Sequence, residues 1–459
     1  MDRLPHRRFA STKAVGVTAL HGPQRTATQK PVAILNEDIV RMVLAFFTSE
    51  PCRRGAILVD HESTEPDPAS TLSSAANVCQ DWYQPAIEAL YRSVRLGDGR
   101  VCVLFARTLQ NATLARIVLS IDLARDIHLS CGVSKRHKRA SKWLGRIYET
   151  NQLAISQAVG RILAAAVNLQ NLRGPFGDVG RREEDIALVR LGIASKLRCL
   201  CARYGAIRRA TWTGAPGWVD GSGGLFFHLL VRPTTLIWSN LHTLVVDGFT
   251  TVFCPAEVDA TRLAEAFPVL RELVISRSST DTETLNAVLS AFRNTLRTLS
   301  IWETVIGLFS RIEPLVYVEV GCEPGSKWRE AFDNLEHLTC TGSTGYYKAK
   351  TSSICEIGTL TRLKSLSVPS DAVGEIAVLP QQLIRLVIHL PLRVKNVVQV
   401  SEEIENKLDT WIAKTPSLRQ LVLSSSGYNR EDTCDWPAQC LRLRHRLEAC
   451  NIRISFETA

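Results

Sequence analysis

The hexapeptide Leu270-Arg-Glu-Leu273-Val-Ile275 follows the pattern Leu-x-x-Leu-x-apolar, which recurs seven times in the second half of this chain. The seven copies are Leu241-His-Thr-Leu244-Val-Val246, Leu270-Arg-Glu-Leu273-Val-Ile275, Leu296-Arg-Thr-Leu299-Ser-Ile301, Leu335-Glu-His-Leu338-Thr-Cys340, Leu363-Lys-Ser-Leu366-Ser-Val368, Leu383-Ile-Arg-Leu386-Val-Ile388 and Leu418-Arg-Gln-Leu421-Val-Leu423. Their starts are separated by 29, 26, 39, 28, 20 and 35 residues. A unit that recurs at this spacing predicts a solenoid, in which each unit buries its apolar face against its neighbours.

The last two apolar residues of each copy are two positions apart, as in Leu273 and Ile275. Side chains alternate between the two faces of a strand, so such a pair points to one face. All seven copies keep both residues apolar, which predicts seven short strands that share one buried face. Leu169-Gln-Asn-Leu172 and Leu197-Arg-Cys-Leu200 are candidate early copies of the same unit.

Segments suited to helices separate the strands, for example residues 256–267, 281–292 and 402–413. Strand and helix alternating at this spacing resembles the leucine-rich-repeat family. The resemblance implies an α/β fold, an irregular leucine-rich-repeat solenoid with repeats of variable length. The asparagine that often ends the family's strand motif is absent from these copies, which leaves the turn geometry open.

Residues that alternate with the buried pairs are expected on the concave face of the solenoid. They are mostly small and neutral, and they form no basic stripe, which argues against nucleic acid as the main ligand. Aromatic residues and arginine dominate binding energies at protein interfaces. We therefore predict substrate contacts at Trp302, His337, Arg385 and His389.

The N-terminal region carries a second pattern. Apolar residues Ile39, Val43 and Phe47 recur at helical spacing, and they are followed by Val78-Cys-Gln-Asp-Trp82 and then by Leu90-Tyr91. We expect a second helix over residues 70–83 and a third one opened by Pro85. Together with Ile34-Leu-Asn-Glu-Asp, this sequence resembles an F-box, although Asn36 stands where the family usually has proline and the central loop is long.

The overall layout is similar to F-box proteins with degenerate leucine-rich repeats, which are abundant in mushroom-forming fungi. The resemblance implies a helical module that binds a Skp-type adaptor and so joins a cullin complex. The residues expected at the adaptor are Leu35, Ile39, Val43, Val78, Cys79 and Trp82, with Leu90 and Tyr91 packing behind them. The alternative is a helical cap that covers the open end of the solenoid.

These patterns divide the chain into a disordered basic tail (residues 1–30), an F-box-like module (31–96) and a solenoid (97–459), whose clearest repeats lie at 241–426. A mitochondrial transit peptide is the alternative for the tail. No apolar run approaches the ~20 residues that a membrane span needs. The thirteen cysteines, with no secretory signal before them, indicate reduced residues in the cytoplasm or nucleus.

The sequence contains no motif for nucleophilic, phosphate-binding or metal chemistry, so we expect no catalytic residues, no metal site and no cofactor. The resemblance implies a substrate-recognition subunit of a Skp-adaptor, cullin and F-box type ubiquitin ligase, with an unknown protein substrate. A protein-binding scaffold without ligase assembly is the alternative. A third possibility, association with nucleic acid, comes from the net charge of +10 and the basic residues 135–139.

Overall fold

In a computed structural model, the protein is a mixed α/β structure built on one open parallel sheet. The structure describes residues 40–41, 43–44, 68–97, 99–123, 154–155, 157–175, 195–203, 238–247, 260–276, 279–280, 288–302, 305–306, 334–341, 357–358, 360–390, 397–425 and 436–458. The basic tail and the basic residues 135–139 lie outside these ranges.

The described part of the chain contains strands in every repeat that the sequence pattern predicts. In chain order they are β1 (Ser93–Leu96), β2 (Ser120–Leu123), β3 (Asn171–Pro175), β4 (Cys199–Arg203), β5 (Thr243–Asp247), β6 (Glu272–Ser276), β7 (Ser279–Thr280), β8 (Thr298–Trp302), β9 (Val305–Ile306), β10 (His337–Thr341), β11 (Ser365–Pro369), β12 (Arg385–Leu390), β13 (Gln420–Ser425) and β14 (Arg453–Thr458). All seven predicted strands are confirmed, and the two early copies form β3 and β4.

Helices lie between many of these strands. Those with described ends are α1 (Pro68–Ala76), α2 (Gln80–Arg92), α3 (Gly99–Thr108), α4 (Ala112–Ile117), α5 (Ala260–Ala266), α6 (Val397–Lys414), α7 (Trp436–Gln439) and α8 (Leu441–Ala449), with a 3-10 helix at Ser370–Glu375. Residues 40–41, 43–44, 154–155, 157–165 and 288–292 are also helical. Among the described helices, none has the length and apolarity needed to cross a membrane.

Twelve strands form the main sheet, and each one pairs in parallel with the next repeat's strand along the chain. The short strands β7 and β9 pair separately. The second Leu of each unit is in register with that of the next, as in Leu273 with Leu299 and Leu366 with Leu386. Parallel strands need a crossover connection, and the segments between repeats supply it. Among the described strands, β1 and β14 are the outermost of this sheet.

One continuous core lies against one face of this sheet and extends from Leu96 to Ile452. The paired apolar residues of the repeats are almost fully buried in it: Leu244, Val246, Leu273, Ile275, Leu299, Ile301, Leu338, Leu366, Val368, Leu386, Ile388, Leu421 and Leu423. Cys340 is the exception, since it is only partly buried. The predicted inward face is therefore confirmed across the repeats.

Adjacent repeats are also joined before each strand begins. The backbone N–H of Arg297 donates to the carbonyl of Arg271, and that of Glu336 donates to the carbonyl of Arg297. The asparagine before the first Leu adds a side-chain bond to the preceding repeat: Asn240 Nδ2 donates to the Ser195 carbonyl at 2.6 Å. The side-chain amides of Asn168 and Asn334 donate in the same way to the backbone carbonyls of Arg116 and Arg293. The turns between repeats thus satisfy their backbone groups with hydrogen bonds to the preceding repeat.

The long helix α6 satisfies the irregular backbone of the repeat before it. Trp411 Nε1 donates to the Ile376 carbonyl at 3.3 Å, and Lys407 Nζ donates to the same oxygen at 3.0 Å. Thr415 Oγ1 donates to the Leu379 carbonyl at 3.1 Å. These bonds replace the regular hydrogen bonds that a helix would have supplied in the segment 376–380, which follows the short 3-10 helix.

The end of α8 explains how the chain turns into the closing strand. Asn451 adopts a positive φ of 60°, a conformation that asparagine tolerates better than most residues. Its N–H donates to the Glu448 carbonyl, and the N–H of Ile452 donates to the Leu447 carbonyl. This is the Schellman arrangement, completed by the apolar contact expected between buried Leu447 and Ile452.

The helix predictions near residue 80 are wrong in their boundaries. The expected helix over residues 70–83 is broken by a turn at Asn77 and Val78 and by extended backbone at Cys79. Pro85 lies inside α2 instead of opening a helix. The side-chain amide of Asn77 donates to the Ser73 carbonyl at 2.8 Å, and this bond competes with continuation of α1.

We predict that Leu386→Ala costs about 2–5 kcal/mol of unfolding free energy, because it opens a cavity in the core. Leu386 is 0% exposed, whereas Ile384, two residues earlier in the same repeat, is 46% exposed. The matched variant Ile384→Ala is expected to change stability by about 0.5 kcal/mol or less. Urea unfolding followed by circular dichroism measures both, and equal losses would contradict the assignment of the inward face.

Candidate binding surfaces

The N-terminal helices have a small core of their own. It consists of the buried residues Val40, Leu44, Leu72, Ala75 and Ala86. This cluster is separate from the core beneath the sheet. Arg41 and Glu88 hold the first described helical turn against α2 with an ion pair of 2.5 Å. We call this unit, residues 40–44 with α1 and α2, the helical unit.

Helix α2 connects the helical unit to the sheet. Leu90 packs against the core of the helical unit, whereas its neighbour Tyr91 packs against the main core. The ring of Tyr91 stacks on Phe105 of α3, with centroids 6.1 Å apart. Strand β1 follows α2 directly at Ser93 and pairs with β2. The sheet therefore begins inside the range that sequence assigned to the N-terminal module.

The predicted adaptor residues fall into three groups. Leu35 and Ile39 lie outside the described residues. Val43 is 38% exposed and Val78 is 66% exposed. Cys79, which follows Val78 in the chain, is also exposed. Trp82 is half-buried and packs against the core of the helical unit. The described part of this surface is thus apolar and reaches solvent.

Val43, which the sequence places on the apolar face of the first helix, is not on the buried face of the described helical turn. The other two residues of the expected face, Ile39 and Phe47, lie outside the described residues. Val40 and Leu44 point into the core of the helical unit and are at most 1% exposed. Val43 lies to one side of them and stays accessible. Sequence periodicity missed this distinction because almost every residue in this segment is apolar, so several faces fit the helical spacing equally well.

On the sheet, the predicted substrate residues occupy three strands. Trp302 ends β8, but its side chain lies outside the described part of the structure. His337 begins β10, where it is partly buried and in register with Thr298 and Ser365. Arg385 and His389 lie four residues apart on β12, and so on the same face of the sheet.

Arg385 is engaged within the protein. Its Nη2 contacts both carboxylate oxygens of Glu457, at 3.1 and 3.3 Å. Glu457 belongs to β14, two strands away, so this ion pair spans β13. Sequence alone did not indicate Glu457, because its partner lies 72 residues earlier. The pair ties the last three strands together on the face away from the core.

His389 is engaged as well. Its Nε2 lies 2.5 Å from the hydroxyl oxygen of Ser367 on the neighbouring strand β11. Burial lowers the pKa of His389 from its ordinary value of 6.5 to about 4. The imidazole is therefore neutral at pH 7, and it acts as a hydrogen-bonding group of the sheet instead of as a cation.

Several residues expected on an exposed concave face are buried. They do lie on the face away from the main core, but Cys201, Val245 and Val274 form a second apolar cluster there, in register across β4, β5 and β6. Ser276 donates to a carboxylate oxygen of Asp247 at 2.9 Å, and both side chains are buried. In this region the residues predicted on the concave face therefore pack within the protein, which their alternation along the strand did not indicate.

The described cysteines are free thiols. Cys102, Cys199, Cys201 and Cys440 are buried, as expected of core residues, whereas Cys79 and Cys450 are exposed. Cys340 is partly buried as a residue, yet its side chain packs on the core, and burial raises the pKa of its thiol to about 12. Within the described ranges, no three His, Cys, Asp or Glu side chains come together as a metal site would need.

No protein-family model matches the chain, and no curated protein matches its sequence significantly. Two features of this molecule bear on its function. One is the helical unit with its exposed apolar residues, and the other is the twelve-stranded sheet.

We predict that His389 makes the protein less stable in acid. The unfolded chain takes up a proton near pH 6.5, whereas folded His389 does so only near pH 4, so stability falls as the pH drops through this window. The difference corresponds to roughly 3 kcal/mol. Urea midpoints at pH 7 and pH 4.5 measure it. His389→Gln, which keeps a hydrogen-bonding side chain, is expected to lose less stability than the wild type between these pH values, and an equal loss would contradict this assignment.

Proposed function

We propose that this protein is the substrate-recognition subunit of a Skp-adaptor, cullin and F-box type ubiquitin ligase. The helical unit binds the adaptor, and an irregular leucine-rich-repeat solenoid holds a protein substrate. The protein does no chemistry itself. Its role is to raise the concentration of the substrate near the enzyme that transfers ubiquitin.

One observation carries the proposal: the helical unit buries its own small core and still exposes apolar side chains. Val78 is 66% exposed, and Val43 and Tyr83 are 38% and 54% exposed. A small helical unit that leaves large apolar residues in water is suited to docking against apolar helices of a partner. Val43, Val78 and Cys79 are also positions at which the sequence resembles the F-box.

The arrangement of the sheet supports the second half of the proposal. Twelve parallel strands in chain order form an extended surface built from repeating units. Repeat proteins of this kind commonly present such surfaces to other proteins. The helical unit is joined to the first strand through α2, so a substrate on the sheet and an adaptor on the helices are held by one connected body.

A second candidate is a protein-binding scaffold whose helical unit only caps the sheet. It is favoured by the stacking of Tyr91 on Phe105 and by the direct continuation of α2 into β1, an outermost strand of the described sheet. A cap shields that edge from pairing with other chains. In this case the exposed Val43 and Val78 have no partner to bind.

We predict that Val43→Asp and Val78→Asp each weaken binding of a purified Skp-type adaptor at least about tenfold. The reason is that each places a charge in an apolar interface, at a cost of roughly 1.4 kcal/mol or more. Both residues are exposed, so the fold is expected to survive these changes. Co-elution in size-exclusion chromatography and titration calorimetry measure the binding.

Leu104→Asp is the matched control, because Leu104 is 59% exposed on α3, outside the helical unit. It is expected to bind the adaptor as the wild type does. Circular dichroism establishes that all variants remain folded. Absence of binding by the folded wild type would reject ligase assembly and leave the capped scaffold as the function.

A further inference from the structure

A row of basic residues runs along the edge of the sheet at which the strands begin. Arg198, His242, Arg271 and Arg297 each follow the first Leu of their unit. The backbone N–H of each of the last three donates to the carbonyl of the one before it, so the four residues are direct neighbours. Strands in a sheet are ~4.8 Å apart, and the row therefore spans ~14 Å. We call it the basic row.

Its side chains are accessible. Arg198 and Arg271 are exposed, and His242 and Arg297 are partly buried. Arg297 Nη1 donates to the Asn334 carbonyl at 3.1 Å, which fixes the position of this guanidinium. His242 Nδ1 lies 2.7 Å from the Asn240 carbonyl, an acceptor, so the ring donates there. Two side chains of the row, those of His242 and Arg297, are thus fixed by hydrogen bonds, and the other two, those of Arg198 and Arg271, are exposed to solvent.

The row ends at an ion pair. The next residue along the edge is Glu336, whose carboxylate accepts a hydrogen bond of 2.7 Å from Lys364. The hydrogen bond from Lys364 lowers the pKa of Glu336. Partial burial acts in the opposite direction, and the charges of Lys364, His337 and Arg297 lower the pKa further. The negative charge of Glu336 is therefore offset locally by Lys364, and the exposed positive charges of the row are those of Arg271 and Arg198.

A pocket of about 490 Å³ opens at the end of the basic row. Arg271 and Arg297 line it together with Asn294, Thr295 and Glu336, and Pro268 and Val269 contribute an apolar wall. The carboxylate of Glu336 is already paired with Lys364, which offsets its charge toward an acidic ligand. Guanidinium groups bind carboxylates through paired hydrogen bonds, and the side-chain amide of Asn294 offers a further donor. The apolar wall accommodates an aliphatic side chain. The lining thus suits a carboxylate beside an apolar residue.

We propose that the basic row and its pocket bind an acidic, extended segment of a partner protein. The ~14 Å of the row matches about four extended residues at ~3.3 Å each. Carboxylates of the segment pair with Arg198, Arg271 and Arg297, and an aliphatic side chain enters the pocket against Pro268 and Val269. This binding does not require the helical unit, so its test is independent of adaptor binding.

The experiment measures fluorescence anisotropy of a labelled peptide that contains Asp, Glu and Leu in a Gly-Ser background, with the full chain. A second peptide replaces Asp and Glu by Asn and Gln. We expect the acidic peptide to bind and the neutral one not to bind. Arg271→Glu is expected to weaken binding roughly tenfold, because one attraction becomes a repulsion.

Arg419→Glu is the matched control. Arg419 occupies the same position in a later unit and is exposed, but it lies four strands from Arg297, ~19 Å away. That distance exceeds the Debye length of ~8 Å at physiological salt, so the charge at position 419 has little effect on binding at a local site. Binding within about twofold of the wild type is expected.

Three results would overturn the proposal. Failure of the acidic peptide to bind a folded wild type rejects the site. Equal losses in Arg271→Glu and Arg419→Glu show a diffuse charge effect in place of a site. Displacement of the peptide by a single-stranded oligonucleotide that binds more tightly, with the same dependence on Arg271, assigns the row to nucleic acid instead of protein.

Discussion

The structure depends on the packing of register-matched apolar pairs beneath a parallel hydrogen-bonded ladder. The short strand of each unit has two inward side chains that the unit alone cannot bury. Because Leu273 is aligned with Leu244 on one side and Leu299 on the other, the neighbours cover what the unit leaves open. The core is therefore continuous from Leu96 to Ile452, although the repeats differ in length.

This arrangement tolerates long and variable connections, because the register is set at the strands and at the turns that precede them. The intervals between repeats range from 20 to 39 residues, yet the registers do not slip. A shift by one residue would turn every inward side chain to the opposite face. The turns add a second restraint through the side chains of Asn168, Asn240 and Asn334, which bind carbonyls of the preceding repeat.

The two faces and the edge of the sheet differ in chemistry. The inward face is uniformly apolar. The opposite face alternates buried clusters with internal polar pairs, such as Arg385 with Glu457 and Ser367 with His389. Groups already paired within the protein cost more to recruit for a ligand than groups that face water. The edge formed by the row from Arg198 to Arg297 is more accessible, and this makes it the stronger candidate for an electrostatic contact.

By itself, the sequence determined the strands of the repeats and their inward residues, because a spacing of two residues assigns a side chain to a face of a strand regardless of distant contacts. It also indicated the helical unit through Val78, Cys79 and Trp82. Only the tertiary structure decided which residues of that unit are buried, since Val40, Val43 and Leu44 are all apolar and differ only in what packs against them. Likewise, the pairing of Arg385 with Glu457 and the alignment of Arg271 with Arg297 join residues far apart in the chain. Such neighbours are set by strand order and register, which no local pattern contains.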